Sequence, residues 1–459
     1  MNAFFKQMLA AKRHNDGYIK LFDDVRKGLP GAKYGWLSRL RNEALERFLA
    51  CGYPTPDVEE WQYTSLASIG DRPFAMAAPL VNGIEKKDIE ALCTDPGPCH
   101  RMVFVNGFFR SDLSDLGALP QGLRLATIEQ VLTEEPEILE EHWLYSWGEC
   151  EERLSGQQDP RPFAMAALNT ALSAGGAVLC LDRGVVPDSP IHLIHLMVPE
   201  TGGTMTQPRT LIVAGEESNV TVMETYVGNG ENRHMVNALT QVCISQGAKV
   251  CHYKYQGEGE GGVHLGANHV RLAADSVYSG CVFSSGAAIS RNECRVRLEG
   301  EHADCTLDGI YLGRNQQSSD NWTRVDHMAP YCRTQEVYKG VMDGRSHGSF
   351  QGKIRIWPDA IESEARQLNK NLLISEDAQA FSKPELEILN DDVRCAHGST
   401  IGDLDEDAIF YLRSRGIDGS AARRLMIEAF VGEVMDRFSD VSIQNRFRKI
   451  FSEWLQQAM

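Results

Sequence analysis

What this 459-residue chain lacks narrows its chemistry before anything else does. It has no run of about eighteen apolar residues, so no membrane-spanning helix is expected. The opening MNAFFKQMLAAKRHNDGY has no apolar stretch running into a small-residue cleavage site, which points to a cytoplasmic location. Positive charge is in deficit: 46 Lys and Arg face 63 Asp and Glu, for a net charge of −17. Nucleic acid is therefore excluded as a partner, since phosphates require a basic stripe. A Walker A loop is missing, because the one Gly-Lys pair, Gly352-Lys353, is followed by Ile354. The chain is expected to bind no nucleotide in that manner. GEGEGG, Gly257 to Gly262, does fit GxGxxG. No helical pattern follows it, however, and Glu258 and Glu260 would repel a pyrophosphate, so it reads as a turn. GCVFSSG and GSFQG do not supply the serine-hydrolase elbow. The twelve cysteines include no CxxC and no framework of short spacings. They read as reduced thiols, mostly buried.

What is present suggests three regions. Residues 1–170 read as mostly helical with some strand. Leu37, Leu40, Ala44 and Phe48 mark an amphipathic helix stopped by Gly52 and Pro54. After it, Glu59, Glu60, Trp61 and Tyr63 read as a loop pinned by aromatics. RMVFVNGFF reads as strand within an α+β stretch from Leu80 to Leu132. Glu134 to Glu152 reads as an acidic helix carrying Trp143 and Trp147 on one face. RPFAMAA occurs twice, at Arg72 to Ala78 and Arg161 to Ala167, with unrelated flanks. From Gly175 to about Ser375, short runs such as TLIVAG, VTVMETYV and RVRLEG are divided by Gly, Asn and Asp turns. Strands without intervening helices mean a barrel, a sandwich or a β-solenoid. Residues 171–390 are taken as this core, and 391–459 as a helical domain. Its helices are expected near 405–415, from a cap at Ser420 through Phe430, and over Ile443 to Trp454. The basic residues Arg413, Arg415, Arg423, Arg424, Arg446, Arg448 and Lys449 read as solvated helix faces, and secondarily as a docking surface.

Chemistry concentrates in Asp391 to Ile417. Val393, Cys395 and His397 alternate and would share one face of a strand. Gly398 suggests a sharp turn, and Asp403 or Asp405 a helix cap. A thiolate and an imidazole suit iron or zinc, but such ions want about four ligands. No further Cys or His lies nearby. The pair is either ordinary packing or half of a site that a partner completes. His192 and His195 fall on opposite faces of a strand, so they form no metal pair.

RCAHGSTIGDLDEDAIFYLRSRGI closely resembles the C-terminal signature of the SufD branch of the SufB/SufD family, which serves the SUF iron–sulfur cluster assembly system. TRVDH (Thr323 to His327), YKGVMDG (Tyr338 to Gly344), GKI (Gly352 to Ile354), NKNLLIS (Asn369 to Ser375) and KPELEI (Lys383 to Ile388) follow the family order. GYPTPDVEEWQYTSL resembles its entry motif. His347 and Trp322 depart from the family pattern. The resemblance implies a right-handed parallel β-helix flanked by an N-terminal α/β helical region and a C-terminal helical domain. It implies a non-catalytic scaffold that pairs with a SufB-like subunit and docks a SufC-like ATPase, with a homodimer open to the chain alone. Cys395 and His397 would hold transient iron or a nascent cluster shared with the SufB-like subunit. Phe410, Tyr411, Arg413 and Arg415 would face the ATPase. A SufB-like identity fits less well, since Glu336 to Val393 contains no cysteine. A carbohydrate-active β-helix enzyme is the rival from another class.

Overall fold

The alternating runs after Gly175 become strands of about ten residues that enter two sheets in turn. The computed structural model describes residues 16–69, 74–80, 83–92, 99–143, 159–228 and 232–458. From Pro208 on, each strand pairs in parallel with the strand two places on. Partners there stand 26 to 32 residues apart, from Val263 opposite Ile289 to His347 opposite Gln379. The result is a parallel β-solenoid of about eight turns, the expected mainly β core. Alternation supplies the packing. Val242, Val270, Val296, Val325 and Ile354 occupy one row of successive strands and are fully buried. Burying each such side chain is worth roughly 1.5–3 kcal/mol. Corners recur in the left-handed region, at Gly247 (φ 68°), Asp275 (φ 58°) and Gly344 (φ 63°), which explains the turn residues between runs.

The two ends of the solenoid differ. At the N-terminal end, Leu123–Thr127 pairs antiparallel with Gly175–Leu181. His100–Val105 folds back on Phe108–Phe109 through the Asn106-Gly107 turn, both residues at positive φ. Strands of the first region thus join the solenoid's own sheets. At the other end, Gln379–Ile388 and Val393–Gly402 are the last strands of their sheets, each paired on one side only. The helices Gly35–Cys51 and Ala164–Leu172 cover the outer face of one sheet through Met205, Met235 and Leu265. The loop after Pro54 is pinned as expected. Trp61 is buried against Pro162 and lies 4.2 Å from the Arg291 guanidinium, while Tyr63 stacks on Phe381.

The outer face of the other sheet carries the C-terminal head of three helices, Glu406–Ser414, Gly419–Met435 and Val441–Ala458. Ile427, Val431, Val434, Phe447, Phe451 and Trp454 pack on Met223, Tyr253, Phe283, Ile310 and Val341. Lys339 ties strand to head by donating to the Phe430 carbonyl at 2.7 Å and pairing with Glu433.

Several details differ from the sequence reading. The solenoid runs past residue 390 to Gly402, so Cys395 and His397 lie in its last coil. Gly398 does not turn the chain; it sits in the strand opposite Leu368, since an extended residue needs no bend. The second head helix is capped by Asp418, whose carboxylate accepts from Ser420 N, and not by Ser420. Arg446 is no surface residue but is buried against the solenoid beside Thr225 and His192. The acidic stretch forms a short helix, Pro136–Trp143, with Trp143 buried; Trp147 lies outside the described residues. RPFAMAA resolves in two ways. Ala75–Met76 of the first copy is strand beside Thr204–Thr206, whereas the second copy opens the Ala164–Leu172 helix. Arg72 and Pro73 lie outside the described residues. Environment, not local propensity, decides between them.

Candidate functional site

The last coil is where the sequence's chemical pair and the solenoid's free edge coincide. Val393 and Cys395 point inward and pack against the central core. In the sheet, Cys395 stands opposite Ala365 and His397 opposite Gln367. Both belong to the inward-facing rows, so the shared face expected from alternation is observed. Cys395 is half-buried and burial pushes its thiol up, opposed by a hydrogen bond from the Ala365 backbone. His397 has the same inward parity but is exposed, because no further coil stacks on it. Around them, Phe381, Ile388, Leu389 and Ile401 are 40–46% exposed. Apolar side chains and unpaired strand edges together make this end adhesive.

Behind His397 a polar row runs into the solenoid. Gln367 and Glu336 occupy the same register position on the two preceding coils. Gln367 Nε2 donates to Glu336 Oε2 at 2.5 Å, and Thr323 Oγ1 donates to the same oxygen at 3.2 Å. Burial raises the Glu336 carboxyl to about 7, the two hydrogen bonds opposing it. Further in, Lys254 donates to Asn292 at 3.0 Å, and His264 Nδ1 meets Glu258 Oε1 at 2.6 Å. Burial brings Lys254 down to about 8 against the pull of Glu224 and Glu258. Sequence reasoning missed these buried charges. Their signal was polar residues at inward parity, as in KVCHYKYQGE, and it becomes readable only once the register is known.

Other candidates separate. His192 faces outward toward Arg446, while His195 is stacked between Phe104 and Tyr226, as their odd spacing requires. GEGEGG forms the turn between two strands, with Glu258 buried on His264. Among the described residues, no three His, Cys, Asp or Glu side chains come together as a metal-binding group. No described helix is long and apolar enough to cross a membrane. On the head, Phe410 and Tyr411 are 71% and 57% exposed. Arg415 lies over the Tyr411 ring and donates to its hydroxyl at 3.2 Å, and Arg413 is also exposed.

Fold and site define a class: a long parallel solenoid with a helical head, whose chemistry-bearing residues lie at an unclosed end. Residues 197–430 match the family model described as SUF system FeS cluster assembly, SufBD core domain. Residues 12–193 match the SufBD protein N-terminal region. The chain belongs to the SufBD family of the SUF iron–sulfur cluster assembly system. Among its relatives, an iron–sulfur cluster assembly SufBD family protein of Synechocystis is 29% identical, covering 86% of each chain. Escherichia coli SufD is 26% identical over 88% of this chain and 89% of its own. Bacillus subtilis SufD is 24% identical over 91% and 93%.

Proposed function

We propose that the chain is a non-catalytic scaffold of cluster assembly that pairs end to end with a SufB-like subunit. Its head docks a SufC-like ATPase, and Cys395 with His397 contributes ligands to iron or a nascent cluster, the cargo, at the seam. The observation that carries this reading is the coincidence, in one coil, of unpaired edges, exposed apolar side chains and half a ligand set. A second strand pair laid on those edges would gain main-chain hydrogen bonds while bringing its own donors to His397. Exposed Phe410 and Tyr411 support the head as the ATPase surface, since aromatic anchors dominate interfaces. The same reading makes the working protein cytoplasmic.

The test is co-expression with SufB-like and SufC-like partners in anaerobic cells, followed by assay of iron and acid-labile sulfide. Because His397 is exposed, His397→Ala should change stability by no more than about 0.5 kcal/mol. It should leave the complex assembled and its ATPase active, yet stop cluster accumulation. Cys395→Ser, at an inward half-buried position, should be the milder change for iron and the more costly for melting. Full iron loading in an assembled His397→Ala complex would refute the ligand assignment.

A further inference from the structure

The row Glu336, Gln367, His397 places one side chain on each of three successive coils, at the same inward register. Neighbouring strands lie about 4.8 Å apart, within reach of an amide bridging coil to coil. The Gln367 carboxamide is buried and its orientation is set from behind. Its nitrogen donates to Glu336 Oε2, which is itself held by Thr323. Gly352 makes room for it: a methyl group there would collide with Gln367 Nε2. With the nitrogen committed to the preceding coil, the oxygen is the atom left for the next one. Among the described residues nothing donates to Gln367 Oε1, a buried acceptor without a partner. Such an orphan is costly and calls for an explanation. The residue next in the row is His397, and an imidazole that ligates through one nitrogen carries an N–H on the other.

We infer that Gln367 is a positioning residue for His397: its Oε1 accepts the N–H of the imidazole nitrogen turned away from a bound ion, fixing the ring's tautomer and aim. The inference rests on the reading of His397 as a ligand and adds what orients it. Outer partners of this kind typically change metal affinity by about 10–100-fold. Thr323 and Glu336 then act one step further back, by holding the amide, and Gly352 by admitting it.

The test uses the full chain with Cu2+ alone as probe, since copper binds imidazole sites most tightly of the common divalent ions. A Cys395→Ser background keeps the thiol from reducing the ion. Electron spin echo spectroscopy reads the quadrupole coupling of the imidazole's remote nitrogen, which responds to the hydrogen bond on that nitrogen. The His397→Ala difference spectrum isolates the signal. Gln367→Met, of similar length and without an amide, should shift that coupling and weaken copper binding about 10-fold or more. Gln367→Glu, which keeps an acceptor oxygen, should restore the coupling. An unchanged coupling in Gln367→Met overturns the inference while leaving His397 a ligand. A copper signal that survives His397→Ala instead overturns the ligand reading, and the inference with it. If Gln367→Met disturbs the last coil, Gly352→Ala displaces the same carboxamide without removing it. The coupling must move there too, and its constancy would equally overturn the inference.

Discussion

Glu336→Gln should flatten part of the protein's stability-versus-pH curve. Glu336 is fully buried, and burial holds its folded carboxyl near 7 against a reference near 4.5. A folded pKa above the unfolded one means that the unfolded chain releases this proton first. The neutral acid's contribution is therefore complete below about pH 4.5 and is lost as pH rises through about 7. Some 2.5 units at about 1.4 kcal/mol each give a loss on the order of 3 kcal/mol. Glutamine at 336 keeps an oxygen to accept from Gln367 Nε2 and Thr323 Oγ1, and it cannot ionise. Any fixed offset from its amide group is the same at every pH. All other titrating groups cancel in the difference between the two chains. A solenoid need not unfold in one step, so the quantity to compare is the melting midpoint at each pH. For a chain of this length, 3 kcal/mol corresponds to about 3 °C. The variant should gain that much on wild type between pH 4.5 and 8. Parallel midpoint curves would refute the assignment of a buried, near-neutral carboxyl to this position.

Replacing both Phe410 and Tyr411 by Ala removes exposed rings, so circular dichroism and melting should be unchanged while capture of a SufC-like ATPase is lost; undiminished capture would refute the docking surface. Phe447→Ala acts from beneath. This fully buried ring lies 5.2 Å from Phe283 and 5.6 Å from Phe438, so its loss should cost about 3–5 kcal/mol. Limited proteolysis should then release the head before the solenoid, and a wild-type digestion pattern would count against that packing.

Much of this architecture was legible because inward and outward residues alternate. The Val242 to Ile354 row and the amphipathic head helices are written in local periodicity, and the Asn106-Gly107 turn in a dipeptide. Register was not legible. Coils of 26 to 32 residues differ in corner length, so no fixed period in the sequence tells that Glu336, Gln367 and His397 share a row. Nor does a single strand reveal whether it is the last. Val393–Gly402 resembles its predecessors in length, and only the absence of a further coil exposes His397. Arg446 shows the converse error. Its neighbours Arg448 and Lys449 are exposed, but the helix turns position 446 toward Thr225, a contact set by tertiary packing. The two RPFAMAA copies make the limit plain, since identical residues become strand beside one neighbour and helix beside another.

The asymmetry of the two ends bears on how the chain would work under the proposed function. A parallel sheet edge presents unpaired N–H and C=O groups, which proteins usually cover, bend or charge. Antiparallel pairs and a tight hairpin cover the first end. The second has neither, and it adds apolar side chains and the mouth of a buried polar row. Leaving such an end open is costly for a free chain and useful for an assembling one. A partner laid against it under the proposed pairing would cover the edge, shield Phe381 and Ile401, and take His397 from water to a drier setting in which a ligand bond would be harder to displace. Under the proposed pairing, opening the seam would reverse all three at once. Cargo binding and subunit contact would then draw on the same few residues, and the half-set of ligands would be what makes release possible.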